Sequence, residues 1–443
     1  MKVFIKFGQE TNMYRKFQEV LTCWEKERTK EPLMICGARQ VGKTWLIKHF
    51  CEETYSDYVY INFEENPDYS TAFDDSLSPE TVLRKLGIML GRSIGSECAI
   101  IFDEIQLCEK AITAMKYFCE AESNYRIICA GSLLGVKLKR FNSSFPVGKV
   151  TLRAMYPMDF EEFLIACGED ELVSMIRECF CNMKPISEGI HRKALDLYHA
   201  YLFVGGMPRI VNDFIEKDKN LLQLDSELYR SLEDSYLADM TKHVDNAAES
   251  LKIMETFNSL PRQLAKENPK FMYKEIRKNA NKRDFQSSID WLVAAGLAYK
   301  VNDVVTIGTP LKGYEDENKF KLYMSDTGLL SHLSRLKFSD ILSTSDNIYK
   351  GAVVENYVVS QLKASGKYLC YYKPSESMEV DLLLDESEGI IPCEIKSGRR
   401  TNSKSLRNYC EKYNPTKAIR LSELNFGKTE SFFSVPIYAV FCI

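Results

Sequence analysis

Several features are missing from the sequence, and each absence excludes something. Fourteen cysteines are scattered over 443 residues without a single Cys-x-x-Cys pair, so neither a disulfide framework nor a paired-thiol motif is indicated. Many lie inside apolar runs, as Cys36, Cys98 and Cys129 do, and read as reduced core residues. No apolar run approaches the ~20 residues that a membrane helix needs, and acidic and polar residues follow soon after Met1. The expectation is a cytoplasmic protein. Internal repeats and low-complexity segments are also missing. A large excess of either charge is also missing: the formal net charge of -4 argues against indiscriminate coating of nucleic acid while leaving room for a local basic patch. What remains is 45% hydrophobic and 27% charged, a globular composition long enough for roughly two to four domains.

The strongest signal is Gly37-Ala38-Arg39-Gln40-Val41-Gly42-Lys43-Thr44, followed by Trp45. It predicts a phosphate-binding loop. A triphosphate is held by many backbone N–H groups at once, so the loop must bend without Cβ atoms in the way, which Gly37 and Gly42 permit. Lys43 would reach the β- and γ-phosphates and Thr44 would give its hydroxyl to Mg²⁺. The helix starting here would point its positive end at the phosphates. Pro32 to Cys36 reads as a buried strand feeding the loop.

Cys98-Ala99-Ile100-Ile101-Phe102 reads as a second buried strand, closed by Asp103 and Glu104. Downstream of a phosphate loop, this pattern places Asp103 near the Mg²⁺ and Glu104 where it can polarise an attacking water. A third strand, Tyr125 to Gly131, leads into Ser132, which either senses the γ-phosphate or caps the strand end. Tyr14 to Glu27 has the spacing of an amphipathic helix, and Tyr156 to Leu164 opens another with acidic residues in its first turn.

These stretches, with Phe102-Asp103-Glu104-Ile105-Gln106, Ala130-Gly131-Ser132 and Tyr156-Pro157-Met158-Asp159-Phe160-Glu161-Glu162-Phe163, resemble the AAA+ ATPases. The resemblance is closest to the prokaryotic group in which such a core is joined to a winged helix and a restriction-endonuclease-like C-terminal domain. It implies an α/β fold with a P-loop core at 1–165, a helical lid at 166–240, a winged helix at 241–310 and a nuclease-like α/β domain at 311–443. It also implies that Arg209, in the break Gly205-Gly206-Met207-Pro208-Arg209, contacts the γ-phosphate; the other reading is a surface arginine in a helix-turn-helix. Ring-forming members supply an arginine in trans, for which Arg140 and Arg153 are candidates, while Lys149 stands where a basic residue often lies. No one of them is singled out by the sequence as the trans arginine; a homo-oligomer is among the partners the resemblance implies.

Between Met254 and Val301 the pattern is that of a winged helix-turn-helix, with helices over Leu251 to Leu264, Tyr273 to Asn279 and Lys282 to Gly296. Lys270, Lys274, Arg277, Lys278, Lys282 and Arg283 gather positive charge at the turn, which either approaches DNA phosphates or is a solvated face.

A second site lies near the C-terminus. Gly351 to Ser365 reads as a helix bearing Glu355, Glu379 to Leu384 as a strand bearing Asp381, and Ile390 to Lys396 as the next strand. Glu394 and Lys396, two apart, share a face. Carboxylates converging on one point call for a divalent cation such as Mg²⁺, which prefers oxygen ligands, and Lys396 could activate a water. The set Glu355, Asp381, Glu394 and Lys396 resembles the PD-(D/E)xK nuclease superfamily, although Glu-Val rather than Pro precedes Asp381. Arg399, Arg400, Lys404 and Arg407 follow, as expected beside a nucleic-acid backbone. The alternative is a strand ion pair between Glu394 and Lys396. The expected function is an ATP-binding, Mg²⁺-dependent ATPase acting on DNA. The competing expectation is a nucleotide-dependent signalling switch with an inactive nuclease-like domain.

Overall fold

The computed structural model describes residues 13–27, 31–140, 145–242, 246–266, 270–342, 348–375, 378–398 and 403–443. Arg399 and Arg400 lie outside the described residues, as does the side chain of Arg140. Strands β1 (Leu33–Cys36), β2 (Tyr58–Asn62), β3 (Ala99–Asp103), β4 (Arg126–Gly131) and β5 (Thr151–Ala154) form a sheet in the order β2-β3-β4-β1-β5. Every pairing in it is parallel. Both faces are covered: Leu33, Ile35, Ile101 and Ile128 enter one apolar cluster, and Met34, Ile100, Ile127 and Cys129 enter the other. That double burial is why these strands read as unbroken apolar runs rather than alternating ones. The order inserts β4 between the strand feeding the glycine loop and the strand ending in Asp103, so all three C-terminal strand ends open on one crevice.

The Tyr156 to Phe163 stretch forms a reciprocal cap. Asp159 Oδ1 accepts from Glu162 N at 2.8 Å and Glu162 Oε2 accepts from Asp159 N at 3.0 Å, which starts helix Phe160–Ala166 by satisfying two otherwise orphaned donors. Helices Asp170–Asn182, Glu188–Val204, Pro208–Glu216 and Ser226–Lys242 follow.

Helices Ala247–Leu264 and Lys282–Ala294 flank a single 3₁₀ turn at Tyr273–Glu275, where the spacing predicts a helix to Asn279. Of those seven residues only Ile276 is buried, so a helix there would have no apolar face to repay its nucleation. Asn279 also turns into the left-handed region at φ 68°. Strands β6 (Ala298–Val304) and β7 (Glu315–Met324) then form an antiparallel hairpin. This hairpin is the edge of a larger sheet with β8 (Leu369–Ser375), β9 (Met378–Glu386), β10 (Gly389–Ile395), β11 (Ile419–Ser422), β12 (Gly427–Lys428) and β13 (Phe433–Pro436). Its order is β12-β13-β11-β10-β9-β8-β6-β7, so a division between residues 310 and 311 would cut the β6–β7 hairpin.

The two sheets share a core through helix Ile348–Ala364. Gln361 Oε1 accepts from Phe160 N at 2.7 Å, and Gln361 Nε2 donates to Tyr201 Oη at 3.2 Å. The Phe160 ring meets Tyr201 and Tyr357 edge-on at 5.5 and 6.2 Å. None of the fourteen cysteines is in a disulfide, and among the described residues no helix is long and apolar enough to cross a membrane.

Candidate functional site

The glycine loop joins β1 to helix Lys43–Thr54. Gly37 and Gly42 take φ values of 142° and 94°, and Gln40 takes 66°. A Cβ on Gly37 would lie 2.1 Å from Met155 O, so only glycine lets the loop pass β5. Lys43 is 7% exposed. Its Nζ donates to Gly37 O at 2.9 Å and Ala38 O at 2.8 Å. Burial lowers its pKa, opposed by the charges of Glu104 and Asp103.

The carboxylate at the end of β3 gathers three donors. Thr44 Oγ1 and Tyr60 Oη reach Asp103 Oδ2 at 2.7 and 2.8 Å, and Glu104 N reaches Asp103 Oδ1 at 3.0 Å. Asn62 Nδ2 in turn donates to Tyr60 Oη at 3.0 Å. Burial and then the Asp103 charge push the Tyr60 hydroxyl well above its ordinary pKa, so it stays a donor. Glu104 adopts φ 51°, ψ 41°, a left-handed conformation that costs a non-glycine residue about 1–2 kcal/mol and is characteristic of sites where geometry outranks comfort. Its Oε2 accepts from Gln106 Nε2 at 2.5 Å and from Ser132 Oγ at 3.5 Å. Ser132 at the end of β4 thus meets Glu104.

The outer side of the loop is covered by later parts of the chain. Arg39 Nε lies 3.3 Å from Asp239 Oδ2 and its Nη2 lies 3.7 Å from Glu64. Tyr236 Oη donates to Arg39 O at 3.1 Å, and Gln40 Nε2 donates to Ser235 Oγ at 3.4 Å. A Cβ on Gly42 would meet Pro208 Cγ at 3.5 Å, and one on Gly296 would meet Ala38 N at 3.1 Å. The start of helix Pro208–Glu216, with the exposed Arg209, and the turn after helix Lys282–Ala294 therefore both touch the loop. Trp45 stacks on His49 at 5.0 Å. Arg153, on the β5 edge, is exposed and donates to Leu152 O, while Lys149 pairs with Glu120 at 3.1 Å.

At the second site the β9–β10 register pairs Leu382 with Cys393, so Asp381 and Glu394 stand one step further along the same ladder. Asp381 Oδ2 accepts from Ile395 N at 2.7 Å. Burial, then Glu355, push its pKa up to about 7, with Lys321 opposing. Lys396 Nζ lies 2.5 Å from Glu394 Oε1, and Leu406 N donates to Glu394 Oε2 at 3.1 Å. Lys321, 1% exposed at its side chain, lies 2.8 Å from both Glu355 and Glu379. Tyr323 Oη donates to Glu355 Oε1 at 2.5 Å. Glu355, Asp381 and Glu394 thus meet protein donors, and among the described residues no group of three or more His, Cys, Asp or Glu is placed to hold a metal ion.

Sequence reasoning does not find Tyr60, Gln106, Arg15, Lys321 or Asp239. Gln106 stands inside the quoted Phe102 to Gln106 stretch, and Tyr60 shares a strand face with Asn62, but nothing local assigns either a role. The first site fits a polyphosphate: an ammonium buried against two neutral carbonyl oxygens lies at the mouth of a glycine loop that opens a helix. Thr44 and Asp103 supply the oxygens that Mg²⁺ favours.

Residues 29–164 match the family described as "AAA domain", so this part of the chain is an AAA-type P-loop domain, a nucleotide-binding fold. Residues 195–340 match "Domain of unknown function (DUF8612)" and residues 350–439 match "Domain of unknown function (DUF4143)". No curated protein matches the chain. Among solved structures, the chain is similar to the Walker-type ATPase paby2304 of Pyrococcus abyssi, at 13% identity and TM-score 0.45, covering 72% of this chain and 95% of that one. It is also similar to the ORC2 protein of Aeropyrum pernix in ADPNP–ADP complexes, at 12% identity and TM-score 0.37, covering 77% of this chain and 95% of that one. Both TM-scores lie below 0.5, so the placing of the chain rests on the match over 29–164 and on its own geometry.

Proposed function

We propose that the protein is a Mg²⁺-dependent ATPase whose nucleotide state is passed to DNA-binding parts of the chain. The observation that carries this reading is the convergence of Lys43, Thr44, Asp103, Glu104 and Ser132 at the C-terminal ends of β1, β3 and β4. The loop from Gly37 to Thr44 would hold the phosphates through its N–H groups, and Lys43 would exchange its two carbonyl partners for phosphate oxygens. Bound Mg²⁺ would neutralise phosphate charge. Thr44 and Asp103 are its proposed holders, Asp103 being kept in place by Tyr60. Glu104 would orient and deprotonate the attacking water, with Ser132 fixing the carboxylate. Arg209 is proposed to carry the nucleotide state to the helices after 166, since its helix begins against Gly42.

We read residues 241–310 as a winged helix whose strand β6 is shared with the C-terminal sheet, and that sheet with helix Ile348–Ala364 as a restriction-endonuclease-like module. Support comes from the exposed cations Lys274, Arg277, Lys278, Lys282 and Arg283 and from the shared β-ladder of Asp381 and Glu394. In this reading Glu355, Asp381 and Glu394 would have to exchange their present protein donors to hold a divalent cation, with Lys396 beside them. One observation favours the competing reading of a nucleotide switch that binds without cutting: Lys321 already stands between Glu355 and Glu379. The test is ATP hydrolysis with and without single- and double-stranded DNA, with DNA integrity followed in the same tubes. DNA-stimulated hydrolysis supports the first reading. Slow hydrolysis indifferent to DNA, with intact DNA, supports the second.

A further inference from the structure

Arg15 lies before the matched AAA residues and has no role in the assignments above, yet its side chain hydrogen-bonds through three nitrogens and reaches the back of the glycine loop. It is 4% exposed. Nη1 donates to Val41 O at 2.6 Å, Nη2 to Tyr156 O at 2.7 Å and Nε to Glu162 Oε1 at 3.2 Å. Glu162 is itself immobilised, since Oε1 also accepts from Lys16 N at 2.6 Å and Oε2 closes the cap on Asp159 N at 3.0 Å. The planar fork of arginine suits such a task, because three separate nitrogens reach three fixed acceptors at once. The Val41–Gly42 peptide is planar and trans, so its C=O and N–H point in opposite directions. Holding the Val41 carbonyl on the Arg15 side turns the Gly42 N–H to the other side. In a phosphate loop these N–H groups are the cradle.

We propose that Arg15 is a positioning residue for the nucleotide: it fixes the Val41–Gly42 peptide so that the cradle exists before ligand arrives, and Glu162 holds Arg15 for that purpose. This rests on the ATPase reading above. It gives the Tyr156 to Phe163 stretch a role besides starting a helix. It also separates Arg15 from a plain brace, which would support the fold and leave the affinity of folded protein unchanged.

The experiment uses the full chain and two variants. Arg15→Lys keeps the charge opposite Glu162 with a single nitrogen. The double variant Arg15→Met with Glu162→Met removes both buried charges together, which avoids leaving an unpaired carboxylate in the core. Melting without ligand and the Kd for MgATP are measured on each. The expected result is that at least one variant melts close to wild type and binds MgATP about tenfold or more weakly, with kcat at saturation changed less than KM. Wild-type affinity in either folded variant overturns the proposal. If wild type itself binds no nucleotide, the ATPase reading fails. If wild type binds and the variants bind equally, only the role of Arg15 fails.

Discussion

Thr44 Oγ1 donates to Asp103 Oδ2 at 2.7 Å, joining the first turn after the glycine loop to the end of β3. Because β4 lies between β1 and β3, these two side chains can meet only by reaching across the end of β4, where Ser132 also sits. The relationship ties three strand ends into one site, and the Tyr60 hydroxyl holds the same carboxylate oxygen from β2.

Replacing Lys43 with alanine should abolish MgATP binding at concentrations where wild type is saturated. A charge-assisted hydrogen bond is worth about 1.5–3 kcal/mol, so the Kd should rise by about 10²-fold. Stability without nucleotide should fall only modestly, because burying the ammonium is itself unfavourable and its hydrogen bonds go to neutral carbonyls, while Glu104 and Asp103 act on it only through their charge. Calorimetric titration with a parallel melting curve checks both. Wild-type affinity would remove the assignment of the loop.

Glu104→Gln should separate binding from hydrolysis. Asp103 keeps its donors from Thr44 and Tyr60, so MgATP still binds, while loss of the base should slow turnover by about 10²–10⁴-fold. Single-turnover hydrolysis after measured binding reads the two apart. An equal loss of both would make Glu104 a structural residue whose left-handed backbone shapes the turn.

The parts of this site that could be read from the sequence are those whose physics is local. Gly37, Gly42, Lys43 and Thr44 act through backbone conformation and a helix start, and Asp103 with Glu104 end an apolar run, so spacing alone exposes them. Arg15, Tyr60 and Asp239 contribute through contacts with distant segments, and no periodicity encodes those. The same division holds in the fold. β1, β3 and β4 are legible because they are buried on both faces. The joining of β6 to β8 through the pairs Asn302–Cys370 and Asp303–Tyr371 depends on long-range pairing and is invisible until the chain is folded. The Tyr273 to Asn279 stretch misleads because its charges have helical spacing without an apolar face beneath them.

At the C-terminal site, Lys321→Met should test what balances the acids. Removing one partner of a buried ion pair costs about 3–5 kcal/mol, here because Glu355 and Glu379 lose their shared cation. Mn²⁺ without ATP should then raise the melting temperature of the variant more than that of wild type, and adding Asp381→Ala should cancel the response. Absence of any Mn²⁺ response in both proteins would take Glu355, Asp381 and Glu394 out of metal chemistry and leave Glu394 and Lys396 as an ion pair.

The last prediction concerns Asp326, which is 1% exposed and joins two distant segments. Its Oδ2 accepts from Gly206 N at 2.7 Å, two residues before Pro208, and its Oδ1 accepts from Leu329 N at 2.8 Å, starting helix Thr327–Leu333. Burial pushes its pKa up to about 6, with the backbone donors of Gly206, Leu329 and Gly328 opposing. In the unfolded chain the carboxyl titrates near ~3.9, so between about pH 4 and 6 the folded state holds the proton that the unfolded state has released. The contribution of this group to stability is therefore fully present below about pH 4 and is lost as the pH rises through about 6. Asp326→Asn cannot titrate. Relative to wild type it should gain about 2 kcal/mol between pH 4.5 and 7, whatever its absolute stability, because other groups cancel in the difference. Urea denaturation of both proteins across that range measures the gap, and a gap independent of pH would show that Asp326 stays ionised in the folded protein.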